Sequence, residues 1–351
     1  MADVIVTPGN SLKVDYIVEN FGDDPDTQNV ELVRTDTSTV VDSVTGIQLD
    51  TGNIDTGEVL WDTTNVSIGE YTVELRTADD TESIVTLVSD QAPAGTIGFL
   101  AGNTSNTVYQ LEPDTAFDIN TFNQTGTFDT SGLSSVPLGA SFNNDGSKYY
   151  IAAISSAAIY EFTLSTEYDI TTASLNFTAT DVPNLTEPSW PEFTDSGNIL
   201  LVADRAEDRI AQYSLSTPYD ISNRSYDGSF SISSQGTSPV SIISVEGGSL
   251  VHILTSNSEI YEYTLSDSTD IRTASFSQLL DVSSESGSGQ SIEWNSDGTE
   301  LFYLGGQNDS LYKYDVSTPY DIGTASFIES VNLESFDTTL TSFVWNEGPN
   351  L

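Results

Sequence analysis

Residues 159–174 read Ile-Tyr-Glu-Phe-Thr-Leu-Ser-Thr-Glu-Tyr-Asp-Ile-Thr-Thr-Ala-Ser, an alternating strand pattern followed by a turn-forming loop. The pattern returns at residues 210–225, 260–275 and 311–326, and more loosely at 108–123. Its aspartates are spaced by 51, 51, 50 and 51 residues, and they are Asp118, Asp169, Asp220, Asp270 and Asp321. A fixed period of this length predicts repeated supersecondary units, so the repeat determines the fold class before any other feature.

A second landmark is a tight-turn motif that lies 23 residues before each aspartate. A glycine there accepts a positive φ without a Cβ clash, as hairpin turns require. The predicted turn glycines are Gly95, Gly146, Gly197, Gly247 and Gly298. An aromatic residue precedes four of the turns, at Phe142, Phe193, Trp294 and Trp345, whereas Ser244 breaks the series. A short apolar run follows each turn, as at residues 149–154, and indicates a buried strand.

The signature strand places Tyr160, Phe162 and Leu164 on one face and Glu161 on the other, because side chains alternate along a strand. A fourth strand is expected after the Thr-Ala-Ser, as at residues 276–280. Four strands in about 50 residues make one β-propeller blade. Five such units predict an all-β chain with a five-bladed β-propeller.

The two ends of the repeat region complete each other. Residues 343–348 match the first strand of a unit through its turn, whereas residues 95–100 match a unit from its turn onward. We therefore expect the C-terminal strand to join the first unit and close the ring, which hides the edge strands of an open array. A β-solenoid is the alternative, but a solenoid needs no complementary ends.

The composition is strongly acidic, with 9 Lys and Arg against 53 Asp and Glu and a formal net charge of −44. Such a charge repels itself in dilute buffer, and salt above about 1 M shortens the Debye length to about 3 Å and screens that repulsion. The scarce lysine and abundant carboxylates resemble proteins of extremely halophilic archaea; an ordinary acidic surface protein is the alternative. Nucleic acid and anionic membranes are not expected as partners, because phosphate contacts need Lys and Arg.

Other sequence features limit the class of protein. There is no cysteine, which excludes disulfides and thiolate sites. No apolar run approaches the length of a membrane span, so membrane insertion is not expected. The N-terminus, Met-Ala-Asp-Val-Ile-Val, has no basic region and no signal-peptide core. A protein that is never exported fits this N-terminus, as does a secreted protein whose signal has been trimmed.

Residues 1–90 lack the repeat and are expected to form a domain separate from the propeller of residues 91–351. Alternating patterns and short apolar runs predict strands within residues 12–18, 30–33, 40–44, 59–61, 71–75 and 83–88. Seven or eight short strands, with turns every 8 to 12 residues, predict an immunoglobulin-like sandwich.

Two parts of the chain resemble known families. The stretches at residues 20–23, 28–32, 61–64 and 69–75 resemble the cell-adhesion-related immunoglobulin-like (CARDB-type) domains of haloarchaeal surface proteins. This resemblance covers about 80 residues and implies a spacer or adaptor role. The loop that begins Ser-Thr-Pro-Tyr-Asp-Ile, at Ser216 and Ser317, resembles repeats in structural proteins of marine and halophilic viruses. That second resemblance implies no catalytic residues.

We find no catalytic, cofactor-binding or metal-ligating constellation in the sequence. The repeat aspartates suit turn capping better than one asymmetric catalytic site, because every blade carries one. His252 is the only histidine, and its place in the apolar run of residues 250–254 favours a core side chain over a catalyst or zinc ligand. The turns at Asp145 and Asp297 contain oxygen ligands suited to Ca²⁺, but neither continues as a full calcium-binding loop.

Together these features predict a non-enzymatic virion structural protein of a haloarchaeal virus, displayed as a capsid decoration, turret, spike or tail-fibre component. The N-terminal domain is expected to dock to other capsid or tail proteins, and the propeller to contact host glycans or surface-layer protein. A symmetric homo-oligomer at the virion surface, without a cofactor, is expected. The alternatives are a host cell-surface adhesion protein and a five-bladed carbohydrate-active enzyme, which would need two carboxylates in different environments.

Overall fold

The computed structural model describes residues 95–346 apart from residues 134–136, 155, 181 and 183–184. Before residue 95 it describes residues 4–6, 11–19, 26–34, 38–49, 54–62, 69–76 and 81–88. The chain divides into two compact units, which are residues 1–92 and residues 93–350.

The first unit has seven strands among its described residues: β1 (Val4–Val6), β2 (Ser11–Glu19), β3 (Asp26–Arg34), β4 (Thr39–Leu49), β5 (Ile54–Asp62), β6 (Gly69–Arg76) and β7 (Thr81–Val88). One sheet has the order β1-β7-β6-β3-β4, and a second sheet pairs β2 with β5. Val30, Leu32 and Val59 are fully buried, and β5 contacts both β3 and β4. Each stretch expected to be a strand lies within one of these seven. Their assignment to an immunoglobulin-like sandwich stays a prediction.

The second unit is a five-bladed β-propeller, as the repeat predicts, with each blade a four-stranded antiparallel sheet. Blade 1 consists of β8 (Gly98–Gly102), β9 (Thr107–Glu112), β10 (Asn123–Asp129) and β27 (Leu340–Trp345). Blade 2 consists of β11 (Pro137–Phe142), β12 (Lys148–Ala153), β13 (Ala158–Leu164) and β14 (Ala173–Ala179). Blade 3 consists of β15 (Pro188–Thr194), β16 (Ile199–Asp204), β17 (Arg209–Leu215) and β18 (Arg224–Ser231).

Blades 4 and 5 repeat the same order. Blade 4 consists of β19 (Pro239–Val245), β20 (Leu250–Thr255), β21 (Glu259–Leu265) and β22 (Ala274–Asp281). Blade 5 consists of β23 (Gly289–Trp294), β24 (Glu300–Gly305), β25 (Ser310–Val316) and β26 (Ala325–Asn332). In blades 2, 4 and 5 the outermost strand begins at the alanine of the Thr-Ala-Ser. In blade 4 this alanine is Ala274, two residues before the predicted start at residue 276. The register of the outermost strand shifts by one residue against the third strand, as between Glu262 and Tyr263.

The innermost strands contact one another in succession around the propeller. They follow the order β11, β15, β19, β23 and β27, and β27 also contacts β11. Within blade 1, β27 pairs antiparallel with β8, so that Phe343 lies opposite Leu100. Asn346 adds two bonds here, because its N–H donates to Ile97 O at 2.8 Å and its Oδ1 accepts from Ile97 N at 2.9 Å.

The core lies between the blades, because each blade packs against a neighbour on both faces. All six residues of β16 are therefore buried, although a strand covered on one face would alternate. The signature strand shows the same effect: Glu161, on the face opposite Phe162, is only 1% exposed. The outermost strands face solvent, as the exposed Leu175 and Phe276 show. The described residues form no helix long and apolar enough to cross a bilayer.

Candidate functional site

The repeat loops join the third and fourth strands of each blade, and their aspartates cap the turns. Asp169 Oδ1 accepts a hydrogen bond from the backbone N–H of Thr171 at 3.0 Å, and the same atom of Asp270 accepts from Arg272 N at 2.9 Å. The remaining three bonds join Asp118 to Asn120 N, Asp220 to Ser222 N and Asp321 to Gly323 N. In blades 2 to 5 the aspartate is the N-cap of a three-residue 3₁₀ helix. All five side chains thus satisfy local backbone donors.

Each repeat loop is also fastened to the blade before it. The isoleucine after each aspartate is at most 1% exposed, and these residues are Ile119, Ile170, Ile221, Ile271 and Ile322. Ile170 N donates to Gln110 Oε1 of blade 1 at 3.0 Å. In the same way, Ile271 N donates to Gln212 Oε1 of blade 3 at 2.7 Å. The polar residue in the middle of the signature strand therefore holds the next blade's loop in blades 1 and 3, as Glu161 does in blade 2 by accepting from Ile221 N at 3.3 Å.

Two of the chain's three lysines also hold a loop of the next blade by hydrogen bonds. Lys148 Nζ lies 3.1 Å from Glu161 Oε1 and donates to the carbonyl oxygen of Tyr219 in blade 3 at 2.9 Å. Lys313 Nζ donates to the carbonyl oxygen of Phe117 in blade 1 at 3.2 Å. Both ammonium groups thus donate to backbone oxygens at contacts between blades, and Lys148 also forms an ion pair with the buried Glu161.

The turn glycines meet two demands at once. Gly95, Gly146, Gly197 and Gly298 have φ between 69° and 82°, which glycine adopts without a Cβ penalty. A Cβ on any of the four would also come within 3.0 Å of the aromatic ring that precedes the repeat aspartate of the same blade. Those rings belong to Phe117, Tyr168, Tyr219 and Tyr320.

Blade 4 departs from this pattern. Leu250 pairs with Thr264 as Ile199 pairs with Ser214, so the register places Gly248, rather than Gly247, at the position of Gly197. The cause is a hairpin that is one residue shorter. Leu254 pairs with Ile260, six residues on, whereas in blade 3 the equivalent residues are seven apart. The missing residue explains the one 50-residue spacing in the repeat.

Aromatic stacks fill four of the five interfaces between blades. Each stack contains a side chain from the second strand of one blade, the residue before the turn in the next blade, and the residue before that blade's aspartate. Between blades 2 and 3, the ring centroids of Tyr150 and Phe193 are 4.4 Å apart, and those of Phe193 and Tyr219 are 5.2 Å apart. The other stacks are Phe99–Phe142–Tyr168, His252–Trp294–Tyr320 and Phe302–Trp345–Phe117. Leu201, Ser244 and Thr269 occupy the corresponding positions between blades 3 and 4.

His252 lies inside one of these stacks and is fully buried. Its Nδ1 accepts a hydrogen bond from the indole Nε1–H of Trp294 at 3.3 Å, and its Nε2 lies 3.4 Å from Glu262 Oε2. An indole N–H only donates, so Nδ1 carries no proton and the ring holds its proton on Nε2. Both ring nitrogens are thus occupied by partners other than a serine hydroxyl, which a catalytic triad would need.

The carboxyl groups with shifted pKa values in the described part of the chain are all shifted downward. Burial is the largest influence on the pKa of Glu262 and acts upward, but hydrogen bonds from His252 and Gln278 outweigh it. For Asp220, the side-chain hydrogen bond from Ser222 is the largest influence and lowers the pKa. The remaining lowered groups are Asp129, Asp145, Asp267, Asp270, Asp281 and Asp337. A glycosidase acid requires the opposite shift.

The described residues contain no group of three or more His, Asp or Glu side chains placed to hold a metal ion. The sequence signals for the repeat aspartates and glycines were visible in advance. The aromatic stacks were not, because their members come from different blades. The available signals in the sequence are the aromatic residue before four of the turns and the joint loss of aromatic residues at Ser244 and Thr269 in one repeat.

No family model and no curated protein matches this chain. Among solved structures, a chain of a nidogen/laminin complex is 13% identical with a TM-score of 0.47, covering 72% of this chain and 98% of its own. A Lactobacillus plantarum protein is 11% identical with a TM-score of 0.43 and covers 91% and 99%. A candidate 6-phosphogluconolactonase from Bacteroides fragilis is 13% identical with a TM-score of 0.41 and covers 87% and 82%. With TM-scores below 0.5, these likenesses carry no functional argument.

Proposed function

We propose that this chain is a non-enzymatic structural protein of a virus that infects haloarchaea. In this proposal it stands at the virion surface as a capsid decoration, turret, spike or tail-fibre component. The propeller is displayed for attachment to the host, and no cofactor takes part. A host cell-surface adhesion protein with the same two units is the second candidate, and a carbohydrate-active propeller is the third.

The use of the repeat's polar side chains carries the non-enzymatic part of the proposal. The five aspartates cap turns, and Gln110, Gln212 and Lys313 fasten loops to neighbouring blades. The single histidine is enclosed between Trp294 and Glu262. Polar side chains that form hydrogen bonds within and between blades make the propeller rigid. A rigid propeller suits the display of a surface better than acid–base chemistry.

The charge supports the halophilic part of the proposal. A net charge of −44 on 351 residues makes the folded state repel itself unless the medium contains much salt. Only three lysines are present, and two of them are committed to contacts between blades. A particle that persists in molar salt needs surface proteins that fold and stay soluble there.

The two-unit organisation supports the attachment part. We propose that the first unit is an immunoglobulin-like adaptor that docks to other capsid or tail proteins. In the propeller, we propose that β27 closes the ring through its pairs with β8, so that no blade is left with an open inner edge. Host glycans or surface-layer protein are the proposed targets of the displayed disc, and a symmetric homo-oligomer is the proposed arrangement on the particle.

The proposal is tested by asking whether the protein co-purifies with virus particles. Particles from the source are purified by density gradient in molar salt, and their proteins are quantified by mass spectrometry. The proposal expects this chain at a fixed ratio to the major capsid or tail protein in every gradient fraction that contains particles. Its absence from particles and recovery with host cell envelopes would favour the cell-surface candidate. A glycan-hydrolysis screen in high salt separates the enzyme candidate from both.

A further inference from the structure

Three polar side chains of blade 2 meet at one buried carboxylate. Glu161, in the third strand, is 1% exposed. Its Oε1 lies 3.1 Å from Nζ of Lys148 in the second strand. The same oxygen accepts a hydrogen bond from Nδ2 of Asn176 in the fourth strand at 2.7 Å. An amine, a carboxylate and a carboxamide are therefore in contact across three neighbouring strands, and we call Lys148, Glu161 and Asn176 the blade 2 triad.

The backbone of blade 2 brings Asn176 to this carboxylate. The register between β13 and β14 shifts at Glu161, so Asn176 is the extra residue of a β-bulge. A bulge leaves its extra residue unpaired and re-aims the side chain. Lys148 is held from the other side, because its Nζ also donates to the carbonyl oxygen of Tyr219 at 2.9 Å. The Nζ of Lys148 and the Nδ2 of Asn176 are thus fixed beside the same oxygen.

Among the described residues, blade 2 alone combines these three groups. At the position of Glu161 the other blades have Gln110, Gln212, Glu262 and Lys313. At the bulge they have Thr125, Asp227, Ser277 and Ile328. Blade 5 also has a lysine beside a glutamate, since Nζ of Lys313 lies 2.6 Å from Glu300 Oε1, but Ile328 at its bulge has no carboxamide. The triad is therefore not part of the framework that the repeats share.

We propose that Lys148 and Asn176 form an isopeptide bond with each other, and that Glu161 carries the protons. A proton passes from the ammonium group of Lys148 to Glu161 Oε1, and the freed amine attacks Cγ of Asn176. A bond forms between Nζ and Cγ, and the bond between Cγ and Nδ2 breaks. Glu161 transfers the two protons that Nζ loses to Nδ2, which leaves as an ammonium ion. The reaction needs no oxidant, cofactor or second molecule.

The placement of the triad in the fold favours this reaction. Groups that are held in contact react as if at very high concentration, because the fold has already restricted their motion. Glu161 is removed from water, so its carboxylate exchanges protons with the two nitrogens rather than with solvent. The product amide keeps one N–H for the carbonyl oxygen of Tyr219, and it ties the outermost strand of blade 2 to the second strand. This inference goes beyond the proposed function and holds whether or not the chain belongs to a virion.

Mass spectrometry of the full chain, purified in molar salt, tests the bond. The wild type should be lighter than the mass of its sequence by about 17 Da, because ammonia is lost. After denaturation and cleavage at glutamates, which include Glu161, the peptide that contains Lys148 should be joined to the peptide that contains Asn176. Lys313 is the internal control and should be unlinked, because the bulge residue of its blade is Ile328.

Variants test each member of the triad. Asn176→Ser introduces the residue found at the bulge of blade 4 and should abolish the mass loss, as should Lys148→Arg. Asn176→Asp should form the same bond with loss of water, so it should be lighter than its sequence by about 18 Da. Glu161→Gln should leave Lys148 and Asn176 unlinked.

A wild type at the full mass of its sequence, or one whose two peptides are separate, would overturn the proposal. A mass loss that persists in Lys148→Arg would also overturn it, because an asparagine can lose ammonia alone by forming a succinimide. Equal linkage in a folded Glu161→Gln protein would remove the role assigned to that carboxylate. If Glu161→Gln does not fold, Asn176→Ser decides, because it changes an exposed residue.

Discussion

Gly197 combines a φ of 82° with the ring of Tyr219 within 3.0 Å of the point where a Cβ would stand. The sequence indicates the first requirement, because glycine in a turn motif implies a positive φ. It does not indicate the second, since Tyr219 lies in a loop 22 residues later. Gly247 separates the two effects, because its φ is 64° but a Cβ there would meet no atom within 4 Å.

Gly197→Ala should therefore cost more stability than Gly247→Ala. The left-handed conformation alone costs about 1 to 2 kcal/mol for an alanine, and this is the loss expected at Gly247. At Gly197 the clash with Tyr219 adds a similar amount, so the expected total is about 3 kcal/mol. Denaturant unfolding in high salt measures both values. Equal losses for the two variants would show that the ring moves aside without cost.

Asp220 links the turn caps to pH. Its pKa is lowered below the ordinary 3.8, chiefly by the side-chain hydrogen bond from Ser222. A lowered folded-state pKa means that the carboxylate stabilises the fold fully above the unfolded value, and that this stability is lost as pH falls through the folded value. Asp220→Asn keeps an acceptor for Ser222 N but cannot titrate. The stability advantage of the wild type over this variant should shrink between about pH 5 and about pH 2. A constant difference across that range contradicts the assignment.

At the scale of strands and loops, the repeat predicts four strands per blade and the order in which they pair. The signature strand alternates in sequence, yet both its faces are buried, because blades cover it from two sides. The alternation within one strand shows only which side chains are polar and which are apolar, and does not show whether a neighbouring blade covers them. The surroundings of Glu161 and Gln212 depend instead on contacts between blades, which join residues about 60 positions apart in the sequence. The bond from Ile271 N to Gln212 Oε1 is one of these contacts. The sequence likewise predicts Gly247 as the turn glycine of blade 4, because the repeat spacing does not show that the hairpin of this blade is one residue shorter. The register places Gly248 at the position of Gly197.

Gln212→Ala tests the fastening of one blade's loop to the next. The side chain is 4% exposed, accepts from Ile271 N at 2.7 Å and donates from Nε2 to Thr269 O at 2.9 Å. Its loss leaves a buried N–H without a partner, which should cost about 1 to 3 kcal/mol. Ser214→Ala, at an exposed residue of the same strand whose hydroxyl donates to Asp227 Oδ2 at 2.6 Å, is the control and should cost less, within about 1 kcal/mol. If both variants unfold at the same denaturant concentration, the fastening has no energetic role.

At the scale of the whole molecule, a five-bladed propeller is combined with a formal net charge of −44. The five-bladed propeller is the feature that the sequence predicts best, because the repeat aspartates recur at a spacing of 50 or 51 residues. The location of the chain on a particle is the part that it predicts least, because a fold and a charge fit several surface roles. The charge and the proposed closure by β27 each predict a bulk property of the protein that can be measured.

Salt should stabilise the fold. Between about 0.1 M and about 1 M KCl the Debye length falls from about 10 Å to about 3 Å, so repulsion among the surface carboxylates is screened. We expect the thermal midpoint to rise steeply over that range. A parallel series in sucrose, which stabilises folded proteins without screening charge, is the control. A midpoint that does not depend on KCl, or that rises equally in sucrose, would argue against the halophilic composition as the cause.

Removal of residues 340–351 tests the role proposed for β27. Without that strand blade 1 keeps β8 to β10 and loses the buried Phe343 and Leu340, so the cooperative unfolding transition should broaden or disappear. Removal of residues 347–351 alone is the control and should preserve the transition. A synthetic peptide of residues 340–351 should restore the truncated protein. An unchanged transition in the longer truncation would mean that β27 does not hold the ring.

Cryo-electron microscopy of intact particles from the source, imaged in molar salt, tests the proposed function most directly. The account predicts a five-bladed disc at the particle surface, at capsid vertices or on the tail, with the first unit between the disc and the particle. Averaging would then give the number of copies and the proteins that the first unit contacts. Well-resolved particles whose surface density leaves no place for a five-bladed disc would contradict the account.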